Sequence, residues 1–158
     1  MSNFYTDVIM KSPVYHSTKI QNSIDLLEPV TRAAVLAILA DAAKLDMPMM
    51  VFETYRSIER QQLLYEQHAT QLRNVGVHHY AVGCDIVKNI DGQPSWKGSF
   101  DLLGVLARKH GLISGLNWNL PGPTTFVDGC HVQRIAVSDQ AKLFNGTFYP
   151  SETYDPYL

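Results

Sequence analysis

Val82-Gly83-Cys84-Asp85-Ile86-Val87 sets one acidic residue inside an otherwise apolar run of strand-forming residues. Period-two alternation sends Val82, Cys84 and Ile86 to one face and Gly83, Asp85 and Val87 to the other. A carboxylate on such a strand is costly unless it is paired or bound to a cation. Gly83 has no side chain, which leaves room for an ion on the face that Asp85 shares. His78 lies seven positions upstream of Asp85, where the segment after Gly76 can turn an imidazole back over the strand end. His131 lies downstream, with Asp128 three positions before it. A regular strand would send Asp128 and His131 to opposite faces, and a bend at Gly129 removes that conflict.

A catalytic zinc site needs three protein ligands, one coordination position left for water and a nearby carboxylate to take that water's proton. His78, Asp85 and His131 are the predicted ligands of a Zn2+ ion, and Asp128 is the predicted general base. Plainer readings exist for each. The two histidines could be polar residues at strand ends, Asp85 could satisfy a turn, and Asp128 could be the turn partner of Gly129. The order of these residues and their strand and turn contexts carry the metal reading, because short fragments alone recur by chance. His79 competes with His78, but its spacing to Asp85 is six rather than seven, and it is expected in the mouth of the cleft.

Further upstream, the apolar run Met49-Met50-Val51-Phe52 delivers Glu53-Thr54-Tyr55-Arg56-Ser57. Taken together, Thr54-Tyr55-Arg56-Ser57, Gln61, Leu64-Tyr65, the stretch from His78 to Asp85, Trp118, and Asp128-Gly129-Cys130-His131-Val132-Gln133 resemble one family. It is the zinc D-Ala-D-Ala carboxypeptidase and L-alanyl-D-glutamate endopeptidase family, the VanY-like group that includes several phage endolysins. The resemblance spans roughly residues 24 to 137, with the motifs in the family's order. It implies an α+β fold, a small antiparallel sheet with packed helices of the Hedgehog/D-Ala-D-Ala peptidase type. It also implies hydrolysis of a bond in the peptidoglycan stem peptide, with L-alanyl-D-glutamate as the leading candidate.

On this resemblance Arg56 would stabilise the oxyanion together with the metal, although an arginine at a strand end also suits a structural salt bridge. Gln61 and Trp118 are the substrate-binding candidates. Gln61 could equally cap a local backbone group, and Trp118 could be a packing residue or cleft wall. Two departures stand out: Gly76 replaces the serine common two positions before the first histidine, and Cys130 stands where a proline is common before the last. A D-Ala-D-Ala carboxypeptidase or dipeptidase would use the same metal chemistry, and a non-catalytic zinc-containing phage or wall-binding module is the alternative of another class.

Composition bounds the rest. With 158 residues, 46% of them hydrophobic, the chain can bury one sizeable core and is expected to form one domain over residues 1–158. A formal net charge of −2 gives no basic field for nucleic acid; the resemblance implies a stem peptide as partner, and a monomer is the expected state. Two cysteines 46 positions apart define no disulfide framework, and free thiols are expected. The start lacks a signal-peptide pattern, and no run approaches the ~18 apolar residues of a membrane span. Synthesis in the cytoplasm is expected, and the resemblance implies action on the wall after release or as part of a phage particle.

Helices and strands alternate along the chain. Residues 1–23 lack periodicity and are expected to wrap the 24–146 core as an arm, and residues 147–158 form a tail. Pro29 suits a first helical position, and Val30, Ala33, Ala34, Ala37, Ile38 and Asp41 trace the inward stripe of a helix over 29–45. Ser57 caps the next helix, with Glu59 in its first turn. Asn89-Ile90-Asp91-Gly92 turns after a strand over 82–87, and Ser99 caps a helix closing at Arg108-Lys109-His110 before Gly111. His110 is thus a cap residue. Residues 112–133 read as a hairpin, and Ser138 caps a last short helix ending at Asn145-Gly146.

Overall fold

The computed structural model describes residues 2–69, 75–116 and 128–158. The first long helix, α1 (Pro29–Lys44), begins where Glu28 turns its carboxylate onto the free N–H groups of Val30 and Thr31, with Pro29 at the first position, which needs no donor. It ends where Asp46 takes a positive φ of 61° ahead of Pro48. Its inward stripe is Thr31, Ala34, Val35, Ile38 and Ala42, one residue round from the predicted one, and Ala33 is exposed. The helix is alanine-rich on most sides, so its apolar pattern defines the buried face only loosely.

Strand β1 (Met49–Glu53) leads to α2 (Ile58–Glu66), capped as expected by Ser57, whose hydroxyl accepts the Arg60 N–H at 3.0 Å. Strand β2 (Gly83–Ile90) runs three residues beyond the predicted end at Val87, and returns as β3 (Gln93–Ser95). The connecting turn shrinks to Asp91-Gly92, both with positive φ, the geometry that matches the twist of a two-residue hairpin. Helix α3 (Asp101–Lys109) starts after Phe100. Ser99 still supplies its hydroxyl to the Asp101 N–H, from one position further out than predicted. It closes at His110 and Gly111 (φ 79°), as the basic last turn implies. The predicted hairpin is β4 (Ile113–Gly115) paired with β5 (Asp128–Gln133). Ser138 does not cap α4 (Gln140–Phe144). It lies inside the 3-10 turn Val137–Asp139 that leads into the helix, and no side chain caps the start.

The sheet is antiparallel throughout, in the order β1-β2-β5-β4, with β3 also on β2. Cys84 and Ile86 of β2 and Val132 of β5 pack with Ile38 and Ala42 of α1 and with Leu103 and Leu106 of α3 into the main core. Of these, each of Ile38, Ile86, Leu103, Leu106 and Val132 contributes about 1.5–3 kcal/mol by leaving water. Alternation therefore sends Gly83, Asp85, His131 and Gln133 to the face away from these helices. Buried Glu28 also pairs with buried Arg134, Nε to Oε1 at 2.7 Å. The same guanidinium donates to the carbonyls of Ser151 and Tyr154, which fixes the tail to the body. Among the described residues, no helix is long and apolar enough to cross a membrane.

Candidate metal centre

Asp85 and His131 are direct cross-strand partners on β2 and β5, and Glu53 of β1 stands opposite Asp85 on its other side, so one row crosses three strands. His131 Nδ1 lies 3.2 Å from Asp85 Oδ1, and His78 Nε2 lies 3.3 Å from the same oxygen. The ligand atoms of the three residues all fall within 4.8 Å of one another. All three side chains are buried, His78 at 3%, Asp85 at 8% and His131 at 5% exposure.

The hydrogen bonds behind the rings decide which nitrogens face inward. His78 Nδ1 is 2.8 Å from the Thr54 carbonyl, which can only accept, so Nδ1 carries the hydrogen and Nε2 offers a lone pair. His131 Nε2 is 2.8 Å from Gln133 Oε1. The Gln133 amide nitrogen donates to the Ile135 carbonyl at 2.7 Å and to Gln140 Oε1 at 2.8 Å, so its oxygen must face the ring. His131 Nδ1 is then the bare nitrogen. Two lone pairs and a carboxylate oxygen thus converge with no hydrogen between them, a donor set that fits a divalent cation such as zinc. Without a cation, a proton takes that place. Burial pushes the Asp85 carboxyl up, but the charge of His78 and the hydrogen bonds from both imidazoles hold it well below the usual carboxylate range. Burial likewise pushes His131 down, and the hydrogen bond and charge of Asp85 reverse this and raise its pKa.

Local sequence explains the placement. One step on β4, from Ser114 to Gly115, is matched on β5 by the run from Val132 to Asp128, so Gly129, Cys130 and His131 form a bulge. This is the bend expected at Gly129. Gly115 permits it, since a Cβ there would stand 2.0 Å from the Asp128 carbonyl oxygen. The space above Gly83 is used differently from the expectation. A Cβ would meet Val77 Cγ2 at 2.6 Å and His131 Cε1 at 3.2 Å, so the glycine makes room for the imidazole of His131. His78 sits on the 3-10 turn Val77–Tyr80, which ends at Ala81 with a left-handed φ of 66°.

Around these groups, the ligand-type atoms of Asp128, Asp85 and Cys130 lie within 4.8 Å of one another, and Cys130 Sγ–H donates to Asp128 Oδ1 at 3.3 Å. Both cysteines are free. Arg56 Nη2 is 2.9 Å from Glu53 Oε1, the structural ion pair that an arginine at a strand end suits, and 3.5 Å from Asp85 Oδ2. Gln61 is 2% exposed and accepts from Arg56 Nη1 at 3.2 Å, so it meets the guanidinium instead of lying open to a cleft. His79 does not sit in the cleft mouth. It is 2% exposed, packed against Tyr5, Tyr15, Tyr55 and Tyr80, and burial lowers its pKa to about 4. His110 is the C-cap residue of α3 as expected, and its Nε2 also lies 2.8 Å from Asp41 Oδ2. Trp118 lies outside the described residues.

No family model and no curated protein matches the chain by sequence. Solved structures do match. One is the L-Ala-D-Glu endopeptidase ChiX of Serratia marcescens, at TM-score 0.56 and 22% identity over 70% of this chain and 81% of that one. A second is a vancomycin resistance D,D-pentapeptidase, VanY of the VanB-type cassette, in complex with Zn(II), at TM-score 0.55 and 12% identity over 75% and 78%. A third is the L,D-carboxypeptidase DacB of Streptococcus pneumoniae, at TM-score 0.52 and 16% identity over 85% and 84%. The fold is that of the VanY-type peptidases.

Within this VanY-type fold, three supporting groups escape sequence reasoning: the Thr54 carbonyl, Gln133 and Glu53. Gln133 lies two positions after His131 on one strand, and that same-face spacing is the signal that points to it. Glu53 receives both Arg56 and Arg60, and it follows directly on the apolar strand run.

Proposed function

We propose that the protein is a zinc peptidase of peptidoglycan that hydrolyses the L-alanyl-D-glutamate bond of the stem peptide. The observation that carries this reading is the convergence of His78 Nε2, Asp85 Oδ1 and His131 Nδ1, with the Asp128 carboxylate within 4.8 Å of that of Asp85. Zinc held by these three ligands would lower the pKa of water toward about 7 and polarise the scissile carbonyl. Asp128 takes the proton from the attacking water on a carboxylate oxygen and returns it to the departing amine. Arg56, its two Nη atoms held by Glu53 and Gln61, sets positive charge where the carbonyl oxygen becomes negative. Cys130, hydrogen-bonded to Asp128 Oδ1, helps to orient that base. Simple metal binding needs neither Asp128 nor Arg56, which favours hydrolysis over a wall-binding role.

The choice of bond draws support from the ChiX likeness, and the place of action is the wall, reached after release from a cell or as part of a phage particle. The protein acts as a monomer in this reading. Digestion of purified peptidoglycan with the zinc-loaded protein, followed by mass spectrometry of the new ends, tests it. New D-glutamyl amino termini are expected. Release of free D-alanine alone would assign the carboxypeptidase reaction instead, and intact peptidoglycan would reject hydrolysis.

A further inference from the structure

Four consecutive residues of the segment beside the metal centre are each tied to the N-terminal arm. The Thr54 N–H and hydroxyl both donate to the Gln21 carbonyl, at 2.7 and 3.1 Å. The Tyr55 hydroxyl donates to the Tyr15 carbonyl at 2.6 Å, and the Ser57 hydroxyl to the Ser17 carbonyl. Arg56 is reached through His79, whose Nδ1 is 3.3 Å from the Arg56 carbonyl and whose Nε2 is 2.7 Å from the Tyr5 hydroxyl. The carbonyl can only accept, so Nδ1 donates and Nε2 of the neutral ring accepts from Tyr5. The Tyr15 hydroxyl lies 2.9 Å from the Tyr5 oxygen, which completes a directed chain from Tyr15 through Tyr5 and His79 to Arg56.

The same segment does two things at the metal centre. Its Thr54 carbonyl fixes the ring of His78, and its Arg56 guanidinium faces Asp85. His79 also shares the 3-10 turn Val77–Tyr80 with His78, so the bond to Tyr5 fixes the rotation of the turn that carries a ligand. The arm lies outside the stretch that carries the family resemblance. Its contacts are nonetheless buried, with Ile9, Tyr55 and Ala81 forming a cluster flanked by Phe4, Tyr5, Val14 and Tyr15.

We propose that the N-terminal arm is a positioning element of the metal centre: through Tyr5 and His79 it holds Thr54–Ser57 and the His78 turn so that His78 and Arg56 stay aimed at Asp85. This rests on the zinc-peptidase reading. Tyr5 contacts none of the proposed metal ligands directly and acts through His79.

The test uses Tyr5→Phe in the full chain, which keeps the ring and removes the hydroxyl that donates to His79 and accepts from Tyr15. Zinc affinity is measured by competition with a chromophoric chelator, unfolding by thermal melts, and kcat and KM on a peptidoglycan fragment. Tyr5→Phe is expected to weaken zinc binding about tenfold, the scale of a lost support behind a ligand. At saturating zinc it should lower kcat by about as much at unchanged KM, and add little to Arg56→Ala in the double variant, because once the zinc site is filled Tyr5 acts on turnover through Arg56. Tyr55→Phe, which cuts the tie to the Tyr15 carbonyl and the 3.4 Å contact with His79 Nδ1, should weaken zinc binding in the same direction. A Tyr5→Phe protein that melts earlier but binds zinc and turns over like the parent would reduce the arm to a strap and overturn the proposal. Multiplied kcat losses in the double variant at saturating zinc would also overturn it. A parent protein that binds zinc but leaves peptidoglycan intact would refute the peptidase reading alone, since the zinc affinities still decide the role of the arm.

Discussion

Asp85 Oδ1 faces two imidazole nitrogens whose hydrogens have been drawn to the far side of each ring, by the Thr54 carbonyl and by Gln133. The proposed ligands and base are legible in the sequence because their own side chains carry the chemistry, and their spacing survives as a pattern. The supports are less legible. Thr54 acts through a backbone carbonyl that no side chain encodes, and a glutamine on a strand has many ordinary uses. Gln133→Leu should keep the fold while weakening zinc binding about 10- to 100-fold, measured by chelator competition, because His131 loses the acceptor that sets its tautomer. Asp128→Asn should retain zinc and lose turnover by about 100- to 10,000-fold in kcat, as expected when a general base is removed. Retained turnover would reject Asp128 as the base.

Strand β2 shows how an element turns alternation into a site. Its Cys84 and Ile86 face the helices, while Gly83 and Asp85 face the imidazoles, as the period-two reading requires. Where the sequence misplaces an element, the reason is local. The inward stripe of α1 is displaced because alanines surround the helix, and β2 outruns its predicted end because Lys88, Asn89 and Ile90 pair with β3 rather than turning. The bulge in β5 is legible only as a conflict, two candidate site residues, Asp128 and His131, of wrong parity with Gly129 between them. Gly83→Ala tests the close packing on the ligand face. The added methyl must displace Val77 or the ring of His131, so a loss of about 1–3 kcal/mol in denaturant unfolding and weaker zinc binding are expected. Unchanged zinc affinity would show that the ring has room to move.

At the level of the whole molecule, the metal-free protein should lose stability at both ends of the pH range. Burial raises the Glu53 pKa, but Arg60 and Arg56 outweigh it and leave the folded value below 4.5. Asp85 is likewise held below its ordinary 3.8. Their stabilising contribution is complete above those ordinary values and disappears as the pH falls through the lower folded ones. His131 has the opposite sign. Its folded pKa is raised above 6.5, so its contribution is complete below 6.5 and disappears as the pH rises through the folded value. Thermal melts of metal-free protein across pH 3–9 should therefore fall away on both sides, with Glu53→Gln flattening the acid limb and zinc removing the alkaline one. A monotonic profile would contradict this assignment of charges. The most direct measurement of the metal centre is anomalous diffraction at the zinc absorption edge from crystals of the zinc-loaded protein. One peak bonded to His78 Nε2, the Asp85 carboxylate and His131 Nδ1, beside Asp128, is the expected result; no peak there, or zinc held only elsewhere, would contradict it.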